Sequence, residues 1–201
     1  CEDDQQRLWM ASDNGGLICH DPSRHLTLDY PHRDALGKRN MHALYHDGQR
    51  RWAGTYTDGV YTLEPTGRLQ HYTTTSSPNS LDNNSSYAIY RGRGDRIWVA
   101  TMEGLNLYHP DNDHFTRVVK LNCMTIDIDE DADHNLWLST EGGGLWRYHP
   151  GKKTLKHFHH IEGDSLSLPD NHVNCAYIDG SGQLWIGTFS GLCRYRASDE
   201  T

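Results

Sequence analysis

Leu136-Trp137-Leu138-Ser139-Thr140-Glu141-Gly142-Gly143-Gly144-Leu145 and Leu184-Trp185-Ile186-Gly187-Thr188-Phe189-Ser190-Gly191-Leu192 are two settings of one phrase. The phrase is apolar at consecutive positions around the tryptophan, as a strand covered on both faces requires. It recurs at Trp9, Trp52 and Trp98, so the five tryptophans stand 43, 46, 39 and 48 residues apart. A small residue lies two after each (Ala11, Gly54, Ala100, Ser139, Gly187), and a hydroxyl three after (Ser12, Thr55, Thr101, Thr140, Thr188). Glycine follows at six or seven (Gly16, Gly59, Gly104, Gly144, Gly191), then an aliphatic residue (Leu17, Val60, Leu105, Leu145, Leu192).

The small residue suits a place where neighbouring sheets converge and side-chain volume must fall. The glycine opens the next strand after a short polar turn, where a positive φ or a close backbone approach excludes a Cβ. Two further strands lie between phrases. One is marked by Tyr72, Phe115 or Phe158. The other precedes the tryptophan, as in Tyr87-Ala88-Ile89-Tyr90, and closes on a turn such as Asp179-Gly180-Ser181-Gly182. Four strands in each period of this length make a blade, and the chain reads as an all-β segment of about four and a half propeller blades over residues 1–201, part of a larger propeller. It begins and ends inside a unit with about three strands at each end, so these residues are expected not to close a ring by themselves, and the five tryptophans are expected to be buried between blades. Arg51, in place of the aliphatic residue before Trp52, predicts a less buried face in the second unit.

The phrase Asp179-Gly180-Ser181-Gly182-Gln183-Leu184-Trp185-Ile186-Gly187-Thr188, the Leu136 to Leu145 phrase, and the segments Asp164-Ser165-Leu166 and Asn79-Ser80-Leu81-Asp82-Asn83 resemble the two-component regulator propeller repeat. The absence of Trp-Asp and Gly-His pairs separates the chain from the WD-repeat form of the architecture. The resemblance covers essentially the whole chain. It implies the periplasmic sensor region of a hybrid histidine kinase of the Bacteroidetes type, the ectodomain of an inner-membrane protein that detects an oligosaccharide and controls transcription. Expected partners are an oligosaccharide or other small polar ligand, the remaining blades and downstream domains of the same parent chain, and a second copy in a homodimer. Kinase, receiver and DNA-binding segments are not part of these residues, so signalling belongs to the implied parent.

Composition narrows the alternatives. The net charge is −8 with histidine neutral, and the basic residues are scattered apart from Lys38-Arg39, Arg50-Arg51 and Lys152-Lys153, which argues against nucleic acid. The longest apolar runs are about four residues, far below the roughly 18 that span a bilayer, so no membrane contact is expected of this segment. Five dispersed cysteines form no metal or disulfide pattern, and Cys1 reads as a domain cut in preference to a lipid-modified mature N-terminus. No cofactor is implied.

Asp127-Ile128-Asp129-Glu130-Asp131-Ala132-Asp133 alternates oxygen ligands, but Ala132 and Leu138 stand where a calcium loop needs Gly and Glu, so a solvated hairpin turn is the reading. His157, His159 and His160 lie on an outermost strand with no carboxylate or cysteine at matching spacing, and no metal site is assigned. Nucleophile and phosphate-loop motifs are absent, so no catalytic residue is assigned. A non-catalytic adhesion or assembly module is the rival function, ahead of an enzyme resembling streptogramin lyase. The candidate ligand contacts lie in the turns between repeat hydroxyl and repeat glycine: Asp13, Asn14, Tyr56, Asp58, Met102, Glu103, Glu141 and Phe189. These turns share one end of every blade. Their aromatic and acidic mixture suits a polyhydroxylated ligand.

Overall fold

A computed structural model describes residues 1–196. The first sheet holds β1 (Leu8–Ser12), β2 (Gly16–Asp21) and β3 (Leu26–Leu28), followed by a single helical turn, α1 (Arg33–Leu36). The second holds β4 (Met41–His46), β5 (Arg51–Thr55), β6 (Val60–Leu63) and β7 (Leu69–Tyr72). The third holds β8 (Ser86–Arg91), β9 (Ile97–Thr101), β10 (Gly104–His109) and β11 (His114–Lys120). The fourth holds β12 (Thr125–Glu130), β13 (Leu136–Thr140), β14 (Leu145–His149) and β15 (Thr154–Phe158), and the fifth β16 (Val173–Ile178), β17 (Leu184–Thr188) and β18 (Gly191–Arg194). Each sheet is an antiparallel meander, and the two end sheets have three strands each, matching the strand count read from the phrase positions.

The sheets pack in chain order: β4 against β8, β8 against β12, and β12 against β16. These strands therefore line one axis. No packing of this kind joins the first sheet to the last among the described residues, and the five sheets form an open arc.

Four apolar clusters fill the four seams, and each of the first four tryptophans faces the sheet that follows its own. Trp9 packs on Ala53, Tyr61 and Leu63; Trp52 on Ile97, Val99 and Phe115; Trp98 on Ile128, Leu136 and Leu138; Trp137 on Val173, Leu184 and Ile186. Strands β9 and β13 are buried at every position, as their doubly apolar sequences predict, and so is β5 despite Arg51. Trp185 differs from the other four: it is only half-buried, because no following sheet covers it among the described residues. The repeat glycine meets its expectation at Gly104, where a Cβ would lie 1.9 Å from the Val119 carbonyl oxygen, and at Gly59, where it would lie 2.0 Å from that of Tyr72.

The tryptophans carry a second device. In four units an aspartate five or six residues earlier accepts the indole N–H: Asp3 from Trp9 (2.8 Å), Asp47 from Trp52 (2.7 Å), Asp131 from Trp137 (2.8 Å) and Asp179 from Trp185 (2.8 Å). The same carboxylates accept backbone N–H groups of their own hairpins, so one side chain closes the turn and satisfies a buried indole.

Arg51 corrects the expectation drawn from it. It is 6% exposed, its guanidinium carbon stands 4.2 Å from the centre of the Trp9 ring, and it donates to Asp3 at 2.9 Å. The second sheet thus loses no burial; the arginine replaces an aliphatic contact with a cation–π contact and a buried ion pair. Arg50 lies over Trp52 at 4.7 Å and donates to the Tyr108 hydroxyl at 3.1 Å, across the next seam.

Candidate functional site

With the strands antiparallel and in sequence order, the β5–β6 type of turn and the long connections between sheets fall on one end of the arc, and the β4–β5 and β6–β7 types on the other. All eight candidate residues belong to the first end. A repeated hydrogen bond fixes four of the five turns: the N–H of the first residue donates to the carbonyl just before the innermost strand. The pairs are Tyr56 to Asn40 (2.9 Å), Met102 to Ser85 (3.0 Å), Glu141 to Met124 (3.0 Å) and Phe189 to His172 (3.1 Å).

Beside each of these bonds the innermost strand carries a one-residue bulge. The register slips between Met41 and Ala43, Ser86 and Ala88, Thr125 and Asp127, and Val173 and Cys175. His42, Tyr87, Ile126 and Asn174 are the unpaired residues, and a bulge re-aims the side chain it releases. Turn residue and bulge residue are thereby set side by side in four consecutive blades. The sequence reading missed the bulge residues. They stand at a nearly constant ten or eleven positions before the tryptophan, a signal present in the sequence but unreadable without the strand pairing.

The side chains gather in local groups along this end. Tyr56, 44% exposed, lies 5.6 Å from the His42 ring, which lies 5.3 Å from that of Tyr87. The Tyr87 hydroxyl is buried without a hydrogen-bond partner; burial first, then the neighbouring Tyr56 and Glu141, push its pKa up. Phe189, 65% exposed, stacks on His172 at 4.9 Å with nearly parallel planes. Asp58 is held within its own blade by Arg39, by the Tyr61 hydroxyl at 2.5 Å and by His71 at 3.7 Å. Glu103 accepts from the Asn83 side chain at 3.2 Å. Asp13 is exposed, and the exposed Asn14 donates its N–H to the Asn40 side chain at 3.0 Å. The arrangement thus offers an open aromatic rim with Glu141 and Glu103 as acceptors.

Ser190, His172 and Asp170 are near one another on this rim, but both the serine hydroxyl (2.8 Å) and the imidazole Nδ1 (3.0 Å) go to the aspartate. Backbone and ring hydrogen bonds from His172, with that of Ser190, hold the Asp170 carboxyl down at about 2. No imidazole nitrogen faces the hydroxyl, so this is an anchored turn and lacks the geometry of an activated nucleophile.

The acidic run from Asp127 divides differently from expectation. Only Asp131 to Asn135 forms the hairpin. Asp127 and Asp129 lie in β12 and accept the Ala176 and Ile178 N–H groups of β16 at 3.1 and 2.9 Å, capping the free edge of the neighbouring innermost strand. Burial pushes the Asp127 carboxyl up. His157 stacks on Trp146 at 3.8 Å and shares a hydrogen bond with the Gly143 carbonyl. His160 is anchored to the Leu168 carbonyl at 2.7 Å, and no cluster of three metal-binding side chains occurs among the described residues.

Antiparallel four-stranded sheets arrayed about one axis and joined through tryptophan seams define a β-propeller segment. The family model described as "two component regulator propeller" matches residues 167–190. Over its whole length the chain is similar to a solved structure described as the extracellular domain of hybrid two component system BT3049 from B. thetaiotaomicron, with 26% identity and a TM-score of 0.82. A second such domain, BT4673 from the same organism, matches 94% of the chain at 20% identity and a TM-score of 0.65, a likeness of fold. Histidine kinase P4 of Formosa agariphila is 26% identical over 110 residues, 49% of the chain. The chain spans 28% and 31% of the two solved domains and 8% of the kinase. The chain is thus a β-propeller segment similar to part of the extracellular domain of a hybrid two-component system. No helix among the described residues is long and apolar enough to cross a membrane.

Proposed function

We propose that the chain is the ligand-sensing part of a hybrid two-component sensor kinase, facing the periplasm, and that its aromatic rim contacts a neutral oligosaccharide. The observation that carries this reading is the pairing of a turn residue with a bulge residue in four successive blades, on a scaffold otherwise constant. Exposed flat rings such as Tyr56 and Phe189 offer the apolar faces that sugar rings stack on, and Glu103 and Glu141 accept hydroxyl protons. Ligand contact at the inner-strand ends reaches the seams directly, which provides a route by which binding changes how blades, downstream domains of the parent or a second copy sit together.

Calorimetry of the intact ectodomain with a panel of neutral oligosaccharides tests the proposal, followed by Tyr56→Ala, Glu103→Ala and Phe189→Ala. Loss of a stacking ring is expected to weaken binding by about tenfold or more. A ligand bound with unchanged affinity by all three variants places recognition elsewhere and overturns the assignment of the rim.

A further inference from the structure

The third blade breaks the aspartate–tryptophan rule. At the position that in the other four units holds the indole-binding carboxylate stands Gly92, in the stretch Arg91-Gly92-Arg93-Gly94-Asp95-Arg96. A carboxylate reaches in from the next blade instead: Glu130 accepts the Arg93 N–H at 2.7 Å, and a Cβ on Gly92 would lie 2.8 Å from it. Departures from an otherwise consistent local pattern concentrate where function has been placed.

Two of the three arginines here are engaged. Arg91 binds Asp95 at 2.6 Å and the Asp47 carbonyl at 3.1 Å, and Arg93 donates to the Ala132 carbonyl at 3.4 Å. The Arg96 carbonyl accepts the Gly92 N–H at 2.8 Å, but its exposed side chain makes no hydrogen bond or ion pair among the described residues, and the same holds of the exposed Lys153 side chain in the β14–β15 turn. Both line a cleft of about 880 Å³ enclosed by turns of the second, third and fourth blades, at the opposite end of the arc from the rim. The wall carries Arg50, Arg91, Arg96, Arg117 and Lys153 against Asp47 and Asp95. Those two carboxylates are already occupied, Asp47 by Trp52 and Arg50, Asp95 by Arg91. A chain of net charge −8 thus encloses a concave, positive surface with two cations unspent.

The geometry points to a second binding site in this cleft, for a ligand bearing oxyanion groups such as carboxylate, sulfate or phosphate, with the Arg96 fork and the Lys153 ammonium as direct contacts. Arginine presents paired N–H groups to a planar oxyanion and lysine a mobile point charge, and both stand free to meet a ligand that enters the cleft. The site does not depend on the rim reading, since the two lie at opposite ends of the blades.

The test titrates the intact ectodomain with inorganic sulfate, inorganic phosphate, an oligogalacturonate and a neutral oligosaccharide of equal length, at low and high salt. Saturable binding of at least one anionic probe is expected, weakened about tenfold or more in Arg96→Ala/Lys153→Ala and by added salt, and unchanged in Tyr56→Ala. Binding of the oligogalacturonate alone identifies an acidic saccharide, and binding of the inorganic ions identifies a small anion; either supports the site. Because both substituted side chains are exposed, an unchanged melting curve verifies the fold of the double variant. The inference is overturned if no anionic probe binds saturably below about 10 mM, or if the double variant binds as well as the parent.

Discussion

Asp3→Ala is expected to destabilise the chain more than Arg51→Leu, although the two residues form one ion pair. The Asp3 carboxylate is 2% exposed and accepts from Trp9 at 2.8 Å, from Arg7 at 2.8 Å and from Arg51 at 2.9 Å. Removing it strands a guanidinium that is 7% exposed against the Trp9 ring, and leaves the buried indole N–H without an acceptor. Breaking a buried pair from one side costs about 3–5 kcal/mol. Arg51→Leu instead installs the residue type found at the matching positions Ile97, Leu136 and Leu184, and leaves Asp3 with Arg7 and Trp9, so about 1 kcal/mol is expected. In a chain of this length the first change lowers the melting temperature by roughly 10 °C and the second by a few degrees. The double variant recovers at least about 1 kcal/mol relative to Asp3→Ala. Acidity supplies an internal check. Burial pushes the Asp3 carboxyl up, but the hydrogen bonds from Arg7, Trp9 and Arg51 together outweigh it and hold the group well below the usual carboxylate range. Its contribution is therefore complete above the unfolded value near pH 4 and is lost as the pH falls further, so the gap between parent and Asp3→Ala narrows below about pH 4. Urea unfolding followed by tryptophan fluorescence at neutral and acid pH measures all of this. Equal costs for the two single variants, or a gap that widens in acid, would refute the reasoning.

Trp137→Ala, at a ring 2% exposed in the fourth seam, is expected to cost about 3–5 kcal/mol, and Trp185→Ala distinctly less, in thermal melts of the same chain. Gly104→Ala drives a Cβ into the Val119 carbonyl and is expected to cost more than 1 kcal/mol by denaturant midpoint; tolerance of alanine would contradict the strand spacing described here. Tyr87→Phe removes a buried hydroxyl with no partner, so its melting temperature is expected to equal or exceed that of the parent, and a fall would reveal a hydrogen bond to that oxygen.

The blade and its seams were legible in the sequence because their causes are local and repeated: an apolar pair around each tryptophan, a small residue where sheets converge, a glycine where a carbonyl approaches. Arg51 misled because its acceptor, Asp3, and its platform, Trp9, lie more than forty residues away, and a charge in an apolar register reads as exposure when its partner is out of view. The aspartate latch was visible five or six residues before the tryptophan in four units, yet was passed over because an Asp-rich turn is explained just as well by its own backbone. Asp127 and Asp129 were grouped with that turn, since nothing short of strand pairing separates the end of β12 from the hairpin. For the rim, the turn residues were readable from their variability between units, while His42, Tyr87, Ile126 and Asn174 were not, because a bulge exists only in the register of two strands.

Four of the five tryptophans are latched by a carboxylate next to them in the chain, and the first four are buried by the sheet that comes after their own. The blades therefore have a direction: a unit leaving the ribosome can close its own hairpin at once, while its largest ring stays wet until its successor has been made. Assembly of this arc is vectorial, each blade finished by the next, and a stall in translation exposes one indole at the growing end and leaves the completed seams behind it intact.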